Sequence, residues 1–330
     1  MRILITSGLS SSDVGGPAQY GPNLKREFEK LGHHVDVMTY GKIERRLPIG
    51  IRHLYFALRI FPYAARSNYI LALDTFSVGV PTTGIARLVG KRPIVRAGGD
   101  FLWEAYVNRT GGSVTLKEFY EHLPALNLKE RMVLSFTRWM MRKAFIVFNT
   151  EWFRDILIDF YDIDRACVRV IRHPVPERRE TEVPASKHFL WAGRTNKVKQ
   201  VDGLRRVWKQ VEREHPEFAL DLVSGEPHSR IMERLSGCYA AVLPSLSDTC
   251  PFFILEAAAL GKPFIVTRET GLRELIGKGG VFVDSKSESE LRQAFLELID
   301  RERYDSYRKE LAVWYPNRDW TQVAREFMQI

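Results

Sequence analysis

Residues 241–273 read AVLPSLSDTCPFFILEAAALGKPFIVTRETGLR. The stretch opens as a strand at Ala241–Leu243 and turns over Pro244–Pro251. It then runs as a helix through Glu256, Ala257, Ala258 and Ala259 to Gly261, and returns as an apolar strand over Pro263–Thr267. Apolar runs without alternation, separated by one short helix, specify buried parallel strands joined by a crossover, and so an α/β sheet. Sheets of this kind bind ligands outside the carboxyl ends of their strands. Two carboxylates stand at that edge, Asp248 in the turn and Glu256 at the helix start. Their spacing lets one reach each end of a ligand, with free N–H groups of the helix N-terminus suited to a phosphate between them. Glu is also common in first helical turns for dipole reasons, so the spacing alone leaves a structural role open.

PSLSDTCPFFILEAAALGKPFI resembles the donor-binding segment of the retaining GT-B glycosyltransferases of family 4, P-S-x-x-E-x-F-G-x-x-x-x-E-A-x-A-x-G-x-P. Pro244, Ser245, Glu256, Ala257, Ala259, Gly261 and Pro263 match. Asp248 stands where the first Glu is expected, and Thr249-Cys250-Pro251 replaces Gly-Phe-Gly, with Phe252 following. Pro251 has no N–H to offer a phosphate. GRTNKVKQVDGL, from residue 193, resembles the family's G-R-x-x-x-x-K-G-x-D-x-L, with Gly193, Arg194, Lys199, Asp202 and Leu204 matching and Gln200 in place of Gly. Arg supplies a rigid fork and Lys a point charge, and together they can neutralise a departing diphosphate. Near the N-terminus Gly15 and Gly16 precede the first helix, where the family's first loop approaches the donor phosphates and the acceptor. The same glycines could serve only a tight turn. Where family members often carry a functional His this chain has Gly98, with Asp100 two residues on. Asp100, with Trp103 and Glu104, is the candidate contact for the transferred sugar or the acceptor hydroxyl. A helix-capping role for it competes closely.

A chain of 330 residues is about two domains' worth and buries a sizeable core. Hydrophobic residues make up 45% and aromatics 12%, which excludes disorder as an explanation. The net charge of +9 and pI near 9.4 favour anionic partners: a phosphorylated substrate, an anionic membrane surface or nucleic acid. No nucleic-acid reading motif accompanies the charge, so nucleic acid ranks last. Cys167, Cys238 and Cys250 are odd in number and lack metal-ligand spacing, as expected of a reducing compartment. Asp162-Ile163-Asp164 is formally a D-x-D, but at the end of a helix it reads as a capping turn, and no metal site is expected. The first strand begins at once, without a signal peptide, and no apolar run is long enough to span a bilayer.

Along the chain, Arg2–Thr6, Val35–Met38, Tyr69–Leu73, Pro93–Ala97, Phe145–Phe148 and Val168–Ile171 read as the strands of a first domain. Ile51–Ala65 is a basic amphipathic helix, open to a membrane-surface role, though a core-packed helix with a solvated basic edge is the plainer reading. Leu128–Ala144 is helical with Arg131, Arg138 and Arg142 on one side. The charged, Pro-rich stretch 174–187 reads as a linker. His188–Ala192 and Ala219–Ser224 open the second domain, whose span between residues 219 and 241 is shorter than the family's, as if one strand or helix were missing. Trp320, Val323 and Phe327 recur at helical spacing in the tail.

The resemblance implies a GT-B fold, two Rossmann-like doubly wound domains facing across a cleft. Residues 1–174 would form the acceptor-side domain, 175–315 the nucleotide-sugar domain, and 316–330 a helix returning to the first. It implies retaining transfer from a nucleotide-sugar, a UDP- or GDP-sugar, to a glycan or lipid-linked acceptor. No metal or other cofactor is required, because the leaving phosphate takes the acceptor proton on the same face. Glu256 would hold the ribose, Arg194 and Lys199 the diphosphate, and Asp248 the sugar hydroxyls, with Gly15, Gly16, Gly193 and Thr249–Phe252 lining the donor. The implied location is cytoplasmic, with peripheral contact at an anionic membrane face. The substitutions at Asp248 and Pro251 and the absent His keep open a catalytically inactive nucleotide-sugar or glycan-binding protein of the same fold. A sugar-nucleotide epimerase, which needs no acceptor, is a further reading.

Overall fold

The computed structural model describes residues 1–9, 16–179, 186–314 and 316–330. Gly15, part of the 174–187 linker and Tyr315 fall outside them. The described chain forms two compact units. One gathers Met1–Tyr106, His122–Arg172 and Trp320–Ile330, and the other gathers Val107–Glu121 and His173–Asp319.

The chain begins β1 (Arg2–Ser7), α1 (Gly16–Lys30), β2 (His34–Thr39), α2 (Lys42–Arg46), α3 (Ile51–Arg66), β3 (Tyr69–Ala72), α4 (Gly79–Leu88) and β4 (Ile94–Ala97). It continues α5 (Phe101–Thr110), α6 (Leu116–His122), α7 (Leu128–Lys143), β5 (Phe145–Phe148), α8 (Glu151–Leu157) and β6 (Val168–Val170). The six strands form one parallel sheet in the order β2-β1-β3-β4-β5-β6. β4 is buried along its whole length, and β5 over all but its first residue. In β5 that follows from a run of apolar residues without alternation, since parallel strands are covered by helices on both faces, whereas the buried length of β4 includes Arg96. α7 starts with reciprocal bonds: Asn127 Oδ1 accepts the Glu130 N–H and Glu130 Oε2 accepts the Asn127 N–H, both at 2.9 Å. α14 (Trp320–Phe327) packs on α1, where Tyr20 and Trp320 meet edge to face at 4.9 Å and the Thr321 hydroxyl reaches Glu27 Oε2 at 3.1 Å.

The second unit's strands are β7 (His188–Ala192), β8 (Ala219–Val223), β9 (Ala240–Leu243), β10 (Phe264–Thr267) and β11 (Gly280–Val283). They form a five-stranded parallel sheet in the order β11-β10-β9-β7-β8, one strand fewer than the first, and β8 leads through one helix directly to β9. The intervening helices are α9 (Val201–Glu214), α10 (His228–Gly237), α11 (Phe252–Ala259), α12 (Glu288–Ile299) and α13 (Arg301–Val313). Asp300 ends α12, and its side chain caps α13 at the Arg303 N–H. α9 turns Val201, Leu204, Val207, Trp208 and Val211 inward at helical spacing. Phe189 on β7 is the centre of this core, with the Trp208, Phe218, Tyr239 and Phe295 rings 5.0–5.8 Å from its own. Burying a side chain of that size contributes about 1.5–3 kcal/mol. The sheet order winds outward in both directions from β7, so the loops after β7 and β9 leave in opposite directions and open a crevice at the carboxyl edge between them.

Candidate donor site at the second sheet's switch point

Across that crevice Lys199, on the loop after β7, holds Asp248, on the loop after β9. Nζ to Oδ2 is 2.6 Å, and each side chain is 17% exposed. A charge-assisted bond this short, mostly shielded from water, is stronger than a surface pair. Both loops are pinned by the backbone. Asn196 Oδ1 accepts the Lys199 N–H, and the Leu246 N–H bonds Val198 O at 2.8 Å, tying one loop to the other. Asp248 N–H bonds Glu269 O, Thr249 O accepts the Gly271 N–H, and the Ser247 hydroxyl accepts the Leu116 N–H at 2.9 Å. The ammonium has three donors, so Lys199 can keep Asp248 and still bond an anion.

Gly193 follows β7 directly. A Cβ there would stand 3.3 Å from the Trp191 ring, so glycine lets the chain turn over the indole. Arg194 is exposed beside it. Gln200 adopts the left-handed conformation, φ 53°, ψ 30°, as it caps α9. The resembled motif carries Gly at this position, and the backbone shows why.

Glu256 lies in the second turn of α11, since the helix starts at Phe252, one turn earlier than the sequence suggests. The residue is buried, and its Oε1 lies 2.6 Å from His228 Nε2 at the start of α10. The bond to Glu256 raises the His228 pKa above its ordinary 6.5, against the opposing effect of burial. Among the described residues no donor reaches Oε2. Pro251 is the N-cap of α11 and brings neither a side-chain cap nor an N–H. Thr249 and Cys250 are buried, and Phe252 stacks on His173 at 4.1 Å.

Of the sequence candidates, Gly193, Arg194, Lys199, Asp248 and Thr249–Phe252, with Glu256, belong to the second unit and its carboxyl edge. Asp100 belongs to the first unit, where its Oδ1 accepts the Trp103 N–H at 2.7 Å at the start of α5. Gly16 opens α1. Asp164 caps a turn by accepting the Ala166 N–H, and no group of three His, Cys, Asp or Glu among the described residues is placed to hold a metal ion. Two groups escaped the sequence reading. His228 belongs to no motif, and only its place after β8 on the ligand edge could have marked it. The Glu269 carboxyl, beside the Asp248 backbone, is pushed up by burial and has no hydrogen-bond partner for Oε2 among the described residues.

Comparison with known proteins identifies one segment of the chain and its fold. The family described as glycosyl transferases group 1 matches residues 229–301, which hold α10 from its second residue, the Asp248 loop and α11. No curated protein sequence matches. Among solved structures, sucrose-phosphate synthase from Thermosynechococcus elongatus superposes with a TM-score of 0.73 at 14% identity, covering 99% of this chain and 97% of that one. HepE from Anabaena, solved in complex with UDP-glucose, gives 0.69 at 13% identity, covering 99% and 98%. WaaG, a glycosyltransferase involved in lipopolysaccharide biosynthesis, gives 0.68 at 12% identity, covering 98% of each chain. The chain is thus a divergent protein of the GT-B glycosyltransferase fold that carries the glycosyl transferases group 1 segment over residues 229–301.

Proposed function

We propose that the chain transfers a sugar from a nucleotide-sugar to a glycan acceptor, free or lipid-linked, with retention of configuration and without a metal. The observation that carries this reading is the Lys199–Asp248 pair spanning the switch point of the second sheet, 2.6 Å between charges that both loops hold in place. Lys199 and Arg194 would take the charge of the leaving diphosphate, Asp248 would turn to the hydroxyls of the sugar, and Glu256 Oε2 would accept from the ribose. Stabilising a leaving group with fixed cations is the largest electrostatic contribution open to such a site. The leaving phosphate itself would take the acceptor proton. Because HepE was solved with UDP-glucose, UDP-sugars are the first donors to test.

A second reading is favoured by Pro251. Without an N–H at the cap of α11, the helix offers a phosphate one donor fewer, which suits a protein that binds the nucleotide-sugar and does not turn it over. Thermal denaturation with UDP-, GDP-, ADP- and CMP-sugars tests binding. A donor at a hundredfold excess over its Kd stabilises by about 2.7 kcal/mol, and the shift should vanish in Glu256→Ala and in Lys199→Ala. Release of nucleoside diphosphate from the donor that binds, followed with and without glycan acceptors, then separates transferase from binder. A chain that no nucleotide-sugar stabilises loses both readings.

A further inference from the structure

His228 is the first residue of α10, a helix that starts without a side-chain cap. The loop leading to it from β8 leaves the sheet beside Gly193 and Arg194, because the Gly193 N–H bonds Val223 O at 3.1 Å where β7 and β8 end together. From there the half-buried imidazole reaches the buried carboxylate in the second turn of α11, with Nε2 2.6 Å from Glu256 Oε1. A cation is misplaced at a helix N-terminus, where the dipole favours an anion. The bond to Glu256 nevertheless favours the protonated ring and outweighs burial. Local conflicts of this kind gather at functional sites.

The other charges around the ring are engaged elsewhere. Glu256 is the one charged residue of α11, and β7, which also packs on α10, has only His188, at its far end. On the segment of His228 itself, Glu226 pairs with Arg234 at 2.9 Å and Arg230 with Glu233 at 2.7 Å. Asp221 of β8 acts on Arg234 and Cys238. The charge of the imidazole is therefore set by Glu256 and by an anion bound at the same edge. Protonated, the ring holds Oε1 by a charge-assisted bond and offsets the carboxylate's charge. Neutral, it leaves a bare carboxylate near an anionic donor, which opposes binding.

We propose that His228 is a positioning residue of the donor site, which in its protonated form fixes Glu256 for the ribose and makes nucleotide-sugar binding tighter in acid than in alkali. This rests on the donor reading above and adds a control on the same site. The test is calorimetric titration of the full chain with UDP-glucose, GDP-mannose, ADP-glucose and CMP-N-acetylneuraminate at about pH 6 and about pH 9, a range that spans the histidine titration. The phosphates of these sugars keep a constant charge across it. The donor that binds should bind at least about fivefold more weakly at the higher pH, the low end of ordinary coupling between two bound species. By reciprocity that donor should shift the His228 imidazole titration upward, as read by NMR. His228→Gln keeps a neutral N–H for Oε1 with nothing to titrate, so its affinity should be equal at both pH values. A histidine with a structural role alone would change the melting temperature and leave the pH profile of affinity as it was. Equal affinity at both pH values in the wild type, or a pH dependence that His228→Gln retains, overturns the proposal and leaves the donor site standing. If none of the four sugars binds at either pH, the donor reading falls and this proposal with it.

Discussion

His228 Nε2 and Glu256 Oε1, 28 residues apart, are joined at 2.6 Å, so the start of α10 fixes one oxygen of the carboxylate that α11 presents. The pair makes stability depend on pH. Because the His228 pKa is raised in the folded chain, its contribution is complete below pH 6.5 and is lost as the pH rises through the raised value. Melting temperatures of the wild type and His228→Ala should therefore differ most under mildly acidic conditions and converge in the alkaline range. A constant difference across that range would show that the imidazole does not titrate against Glu256.

Breaking the Lys199–Asp248 pair should cost more than a surface ion pair, since both side chains are only 17% exposed. Lys199→Ala leaves Asp248 largely shielded from water without its cation, and should lower stability by about 1–3 kcal/mol. Adding Asp248→Ala should cost less than the sum of the single changes, and a double-mutant cycle from urea unfolding reads the coupling. Strict additivity would mean that the bond contributes nothing.

Gln200 holds a left-handed backbone that side chains disfavour by about 1–2 kcal/mol. Glycine relieves this but adds freedom to the unfolded chain. Gln200→Gly should thus be neutral or stabilising by up to about 1 kcal/mol, as read from denaturation midpoints. A clear loss would indicate that the Gln200 Nε2 bond to Lys197 O matters more than the backbone.

Lys262 precedes β10 at the edge of the sheet away from the donor site, 1% exposed, and its Nζ has no hydrogen-bond partner among the described residues. Burial lowers its pKa. A base depressed in the folded state opposes folding while the unfolded chain is protonated, so stability should rise towards alkaline pH. Lys262→Met should stabilise the chain by about 1–3 kcal/mol at neutral pH and remove that rise.

The second sheet was legible because β9 and β10 are uninterrupted apolar runs, and parallel strands covered on both faces require such runs. Lys199 and Asp248 were each readable from local motifs. Their bond was not, because 49 residues separate them and periodicity carries no information across a crossover. His228 stayed hidden for the same reason. The outward stripe of α7, Leu128, Met132, Phe136 and Trp139, was missed for a different one. A helix with apolar side chains on two faces does not say which face the sheet will cover, and the sequence drew attention only to the arginines between them.

The packing of α14 on α1 has a consequence for synthesis. Thr321 is made 294 residues after Glu27, which it contacts. The first sheet can assemble on the ribosome at ordinary translation rates, but the surface of α1 that takes Trp320 and Thr321 stays uncovered until the second unit has emerged. Premature termination anywhere before residue 320 would therefore release a nascent first unit with an open apolar seam, a substrate for chaperones and proteases.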